Sequence, residues 1–219
     1  MRQYGGVDCC NRPSGYETFF SEKQARRDAR AYRKKGLGAP ARWIVDAVRR
    51  RGVERSTVLE PGGGIGSIQL ELLKAGAAHA TVVELSPAYE AVAAELAREV
   101  GFEDRIERRV ADFAQNGVGD ADIVVLHRVV CCYPDYERLL GAAAAKARRT
   151  LVFTYPPRHL ASRAVIALLN LWPRIRGDEF RAFVHPPEAM AAVVCRHGLE
   201  LFDKRSRGLW RGMAFSRGE

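Results

Sequence analysis

The stretch Val58-Leu59-Glu60-Pro61-Gly62-Gly63-Gly64-Ile65-Gly66 constrains this chain more than any other. A short apolar run and an acid precede three glycines spaced G-x-G-x-G, and an amphipathic segment follows. That order predicts a strand, a tight turn and a helix start. Glycine suits such a turn because it accepts positive φ and lets a ligand approach the backbone without a Cβ in the way. The helix that follows adds N–H groups and a positive dipole end. A bare glycine cluster also fits an ordinary turn, but this arrangement points to a nucleotide-type cofactor. It is not the dinucleotide pattern G-x-G-x-x-G, because Ser67 stands where the third glycine would fall.

With 219 residues, 47% of them hydrophobic, the chain can bury one full core, and a single domain over 1–219 is expected. A net charge of +9 permits an acidic partner such as nucleic acid, although a solvated basic surface explains it equally. The first residues lack the apolar core of a signal peptide, and no apolar run reaches the length of a membrane span, so a cytoplasmic protein without stable membrane insertion is expected. Five cysteines include the adjacent pairs Cys9-Cys10 and Cys131-Cys132, which rarely form unstrained disulfides; reduced thiols are expected.

Residues 18–35 predict a basic helix with Ser21 as its N-cap, and Phe19, Phe20 and Tyr32 either anchor it or close over a ligand. A second helix follows Pro40, with Trp43, Ile44, Ala47 and Val48 on one face. Beyond the glycine turn and a helix ending at Gly76, the strand at 80–84 ends in Glu84, 18 positions past Gly66. An acid there sits at the strand's carboxyl edge, where it can accept ribose hydroxyls. The alternating run 105–110 delivers Asp112 and Phe113. Ala121–Leu126 reads as the fourth strand, and its apolar run from Ile123 indicates burial on both faces, as in a parallel sheet. It exits at His127, which should lie beside the ligand and is the candidate general base. His127 with Cys131 and Cys132 does not complete a zinc set, so no metal is expected.

A helix over 135–148 and a fifth strand at 150–154 lead to Tyr155-Pro156-Pro157. Residues 160–172 are nearly apolar all round. Such a helix must be covered by the fold's own core, by a hydrophobic substrate or partner subunit, or by a membrane surface. A helix at 187–197 and two strands, 199–205 and 209–216, close the chain as an antiparallel hairpin, giving seven strands with helices between them.

Glu60-Pro61-Gly62-Gly63-Gly64-Ile65-Gly66, with acids after three successive strands and the terminal hairpin, resembles the class I S-adenosylmethionine (SAM)-dependent methyltransferases. Tyr133-Pro134 and Arg181-Ala182-Phe183-Val184-His185 are similar to segments of the magnesium-protoporphyrin O-methyltransferase family. The resemblance implies a Rossmann-like α/β fold: a seven-stranded, mostly parallel sheet with helices on both faces. It implies SAM as cofactor, with S-adenosylhomocysteine as product and no metal. Glu60, Gly62, Gly63, Gly64 and Gly66 would form the cofactor loop. Glu84 with Leu85 would meet the ribose, Asp112 and Phe113 the adenine, and His127 the reacting end. Residues 1–37 would cap the site, and 156–185 would form an insertion or lid. The substrate candidates are Phe19, Phe20, Tyr32, Tyr133, Tyr155, Arg158 and His185. The expected acceptor is an oxygen nucleophile, phenol or carboxylate, on an aromatic or hydrophobic small molecule, with His127 as base or hydrogen-bond partner. The competing readings are an RNA methyltransferase using the basic surface and a non-catalytic SAM-fold binding protein. A homodimer through the 160–172 helix is the expected assembly if a partner subunit covers it.

Overall fold

The structure, a computed structural model, describes residues 14–115, 117–206 and 208–218. The Cys9-Cys10 pair lies outside the described residues. Three helices precede the sheet: α1 (Tyr16–Phe19), α2 (Glu22–Lys35) and α3 (Ala39–Arg49). The sheet and its crossovers then alternate as β1 (Thr57–Pro61), α4 (Ser67–Lys74), β2 (His79–Glu84), α5 (Glu90–Glu99), β3 (Ile106–Val110), β4 (Ala121–Leu126), α6 (Tyr136–Lys146) and β5 (Ala147–Tyr155). The chain ends with α7 (Leu160–Ile175), α8 (Pro187–Cys195), β6 (Leu199–Arg205) and β7 (Arg211–Arg217).

All seven strands form one sheet in the order β3-β2-β1-β4-β5-β7-β6. β1 to β5 are parallel, and β7 runs antiparallel between β5 and β6. The chain moves outward from β1 through β2 to β3, then returns to lay β4 against the other side of β1. The carboxyl ends of β1 and β4 therefore flank the crevice where open α/β sheets bind ligands. This is the expected α/β class, hairpin included.

Strand alternation sorts the core into two layers. Val58, Ile123, Val125 and Val152 face α3 and α4, whereas Leu59, Val124, Leu126, Leu151 and Phe153 face α6 and α8. All four residues from Ile123 to Leu126 are fully buried, which is why this part of β4 reads as an apolar run. Local signals hold as well: Ser21 caps α2 by accepting from Gln24 N, and Asp135 caps α6 by accepting from Arg138 N.

The apolar helix departs from one expectation. Pro173 is the only buried residue described on α7, so the fold's own core does not cover this helix. It touches the protein along a narrow stripe and turns its apolar residues outward.

The hairpin is fixed against α3 by a tight contact. A Cβ on Gly212 of β7 would lie 2.3 Å from the Trp43 ring, and the Trp43 indole N–H donates to Asp203 of β6 at 3.1 Å. Neither the rigid indole nor the sheet backbone can retreat cheaply. Gly212→Ala should therefore destabilise the protein by about 1–3 kcal/mol in urea unfolding. Adding Trp43→Leu should recover part of that loss; an unchanged midpoint for Gly212→Ala would contradict the packing.

Candidate active site

The glycine turn leaves β1 with Gly62, Gly64 and Gly66 at φ of 65°, 53° and 78°. A side chain at 62 is barred twice, by the positive φ and because its Cβ would come within 2.5 Å of Val129 on the β4 exit. Gly64 is gripped from both sides. Its N–H donates to Glu84 Oε2 at 2.9 Å, and its carbonyl accepts from Arg108 at 3.0 Å. Arg108, from β3, also pairs with Glu90 of α5 at 2.8 Å. Two further strands thus hold the turn that β1 delivers.

Glu84 is buried at the end of β2 and accepts from Ser86 N at 3.0 Å as well as from Gly64 N. Burial raises its pKa, while those N–H groups and Arg108 pull it down. Glu60 lies deeper, is 2% exposed, and has an Oε2 without a hydrogen-bond partner. Burial pushes its pKa up to about 8, against the opposing pull of Arg108.

The β4 exit carries His127 and Arg128. His127 Nδ1 lies 3.0 Å from the Thr154 hydroxyl on β5. Burial, helped by the Arg128 charge, pushes its pKa down to about 3, so the ring is neutral at physiological pH. Arg128 has φ 60°, a conformation costly for a non-glycine residue. Its backbone N–H donates to Thr154 Oγ1 at 3.0 Å, and its guanidinium lies over the Trp210 ring at 5.0 Å. Cys131 and Cys132 follow with sulfurs 3.6 Å apart; both are free thiols, as is Cys195.

These groups wall a cleft of about 800 Å³, within the usual range for small-molecule sites. Glu60, Gly62, Gly63, Gly64 and Glu84 line one side, and His127, Arg128, Val129 and Cys132 line the other. α2 crosses above with Gln24, Asp28 and Tyr32. The Tyr32 hydroxyl donates to Glu71 of α4 at 2.6 Å, which ties α2 to the sheet layer. At the mouth, Tyr16, Phe19, Phe20 and Phe180 form an aromatic cluster with ring centroids 4.3–5.7 Å apart. The chain before α1 is joined to the segment after α7: Glu179 N and Phe180 N both donate to the Ser14 carbonyl at 3.0 Å.

Other candidates lie elsewhere. Gly66 starts α4 rather than lining the cleft, and Leu85 is half-buried just beyond Glu84. Asp112 is turned into its own loop, where it accepts from Ala114 N at 3.0 Å, from Gln115 at 2.7 Å and from the Tyr133 hydroxyl at 3.3 Å. That turn sends Phe113 into the main core. Tyr155 is also buried there, against Phe153. His185 Nε2 donates to the Tyr133 carbonyl at 3.0 Å and braces the β4 exit loop from behind. Arg158 lies at the exposed start of α7, outside the cleft. Sequence reasoning missed Arg128, Val129 and Arg108. Their spacing gave no signal, because each matters through a backbone twist or a crossover contact. Among the described residues, no group of three or more His, Cys, Asp or Glu is placed to hold a metal ion.

The methyltransferase-domain family profile matches residues 59–149, the segment that runs from the glycine turn to the start of β5. No curated protein sequence matches the chain. Among solved structures, magnesium protoporphyrin IX methyltransferase from Synechocystis PCC 6803, crystallised with S-adenosylhomocysteine, is similar at 20% identity. Its TM-score is 0.72, over 92% of this chain and 98% of that one. An O-methyltransferase family protein from Burkholderia thailandensis is similar at 21% identity with a TM-score of 0.65, over 90% of this chain and 63% of that one. An O-methyltransferase family 2 protein from Planctomyces limnophilus DSM 3776, in complex with apigenin, is similar at 20% identity with a TM-score of 0.65. That match spans 90% of this chain and 62% of the other.

The Glu60 carboxyl gives a pH test of this geometry. Its folded pKa, about 8, lies above its ordinary value of 4.5, so its stabilising contribution is full below 4.5 and is lost as pH rises through 8. Glu60→Gln keeps the shape without the proton. Relative to the native protein it should gain stability at pH 8.5 and not at pH 4, measured by urea unfolding. The gain should reach a few kcal/mol, a tenfold change in proton affinity being worth about 1.4 kcal/mol. An equal effect at both pH values would place a charged Glu60 in the fold. Residues 59–149 match the methyltransferase-domain family profile, and the chain as a whole has the class I methyltransferase fold.

Proposed function

We propose that the protein transfers the methyl group of SAM to a carboxylate oxygen of a small, largely hydrophobic acceptor. The neutral His127 beside Arg128 carries this choice. SAM, when bound, supplies a methyl group already activated on its sulfonium.

The residues present fit such a cofactor. Glu84 accepts backbone N–H groups from Gly64, Ser86 and Leu85, and a carboxylate offers about four acceptor positions, so capacity for a ribose hydroxyl remains. Gly62, Gly63 and Gly64 present bare backbone to the cleft. The unpartnered Glu60 Oε2 suits the cationic end of the ligand, whose charge would draw the proton off Glu60. Asp112 and Phe113, turned away, stand outside this set.

The acceptor follows from proton bookkeeping. A phenol has a pKa near 10, and a base with a pKa of about 3 falls roughly seven powers of ten short, an uphill transfer of about 10 kcal/mol. A carboxylate is ionised at neutral pH and needs no base. His127, fixed through Thr154, instead offers a neutral hydrogen-bonding ring, and Arg128 offers a charge-assisted hold on the carboxylate. With the methyl donor and acceptor aligned in line, positioning supplies most of the acceleration. α1, α2 and the 178–182 segment would cover the reactants through the Tyr16, Phe19, Phe20 and Phe180 cluster and exclude water.

Methyl transfer from labelled SAM, assayed over matched aromatic carboxylates and phenols, tests this reading. Carboxylates should turn over, at a rate nearly flat between pH 6 and 9. Arg128→Gln should raise KM for them by roughly 10- to 100-fold, as expected for losing a charged hydrogen bond. Turnover of phenols alone, with a rate that collapses in His127→Asn, would overturn it.

A further inference from the structure

We infer that α7 is a docking face for an anionic lipid surface, on which the protein lies with this helix in the headgroup region. At 16 residues, α7 is about 24 Å long. Leu160, Val165, Leu168, Leu171, Trp172 and Ile175 are all between 51% and 82% exposed. At 100° per residue they occupy one arc of roughly 140° that faces away from the protein. The helix holds the fold by the opposite stripe, where Ser162, Ile166 and Asn170 are half-buried, Pro173 is buried, and the Asn170 amide makes two 2.8 Å bonds with the Ala182 backbone. A water-facing helix normally shows the reverse pattern, with apolar residues inward and polar residues outward.

Charge identifies the occupant. Arg158, Arg163, Arg174 and Arg176 flank the arc, and there is no Asp or Glu between 158 and 177. On the helical projection Arg163 and Arg174 lie at one edge of the apolar arc, where long side chains can reach headgroups while Leu and Trp enter the acyl boundary. Arg158, His159 and Arg163 also line a shallow depression at the helix start. Arg176 pairs with Asp178 at 3.6 Å, but a second copy docking by the same face would set Arg158, Arg163 and Arg174 against their own copies with no acid on the helix to neutralise them. An anionic surface neutralises these three. No described helix is long and apolar enough to cross a membrane, so the contact is peripheral. Leu169 and Asn170 of this helix also line the cleft, so the docked face adjoins the site's entrance.

Co-sedimentation of the full chain with vesicles containing phosphatidylglycerol, and with vesicles of phosphatidylcholine alone, tests the inference. The protein should partition onto the anionic vesicles and release as salt is added. Leu168→Glu with Trp172→Glu, both at exposed positions that leave the thermal midpoint unchanged, should cut that partitioning roughly tenfold or more. Arg163→Gln with Arg174→Gln should cut it by roughly fivefold for each charge removed. Three results would overturn it. They are a native chain that fails to bind anionic vesicles, a double glutamate variant that binds as well as native, and a dimer in sedimentation velocity that the glutamates dissolve, which would make the face a contact between copies.

Discussion

The site depends on how Gly64 is held. A turn with three glycines at positive φ has large conformational freedom when unfolded, and something must fix it if a ligand is to find it ready. Here the Glu84 carboxylate takes the Gly64 N–H and the Arg108 guanidinium takes the Gly64 carbonyl. Both clamps come from neighbouring parallel strands, so sheet register sets the turn's shape. The same arrangement buries Glu60 and Glu84 near Arg108, and burial keeps Glu60 protonated near neutral pH.

The far wall shows the same economy. Thr154 of β5 holds both the His127 ring and the Arg128 backbone, so one hydroxyl orients the two polar groups that face the cleft from β4. Arg128 adopts an unfavourable φ and stacks on Trp210, next to β7. The antiparallel hairpin thus contributes to the site while completing the sheet. The aromatic cluster over the mouth joins two distant parts of the chain, with Ser14 bonded to Glu179 and Phe180, so the segments before α1 and after α7 form one assembly.

The strands, their order in the chain and the caps at Ser21 and Asp135 were legible because each rests on local chemistry. The apolar run of β4 reports burial on both faces, and a Ser or Asp before a periodic segment reports a cap. That Glu60, Glu84 and the glycines would line one cleft was legible because strand-end acids and the turn after β1 converge at the carboxyl edge of the sheet. Less was visible where a side chain's direction depends on tertiary contacts. Asp112 looks like a ligand-facing acid, but its hydrogen bond to Ala114 N curls the loop and turns Phe113 into the core. His127 reads as a base from its position, and only its burial beside Arg128 makes it a weak one. The composition of α7 was plain, yet periodicity cannot say on which side of a helix the protein lies. Only the structure shows the apolar arc facing out.

Calorimetric titration of the full chain with S-adenosylhomocysteine addresses the central claim most directly. Binding of one equivalent is predicted, with a proton released at pH 7 that Glu60→Gln no longer releases, and no heat is predicted from a nicotinamide dinucleotide. Absence of binding by S-adenosylhomocysteine, or preference for the dinucleotide, would contradict the account of the glycine turn and of the acids around it.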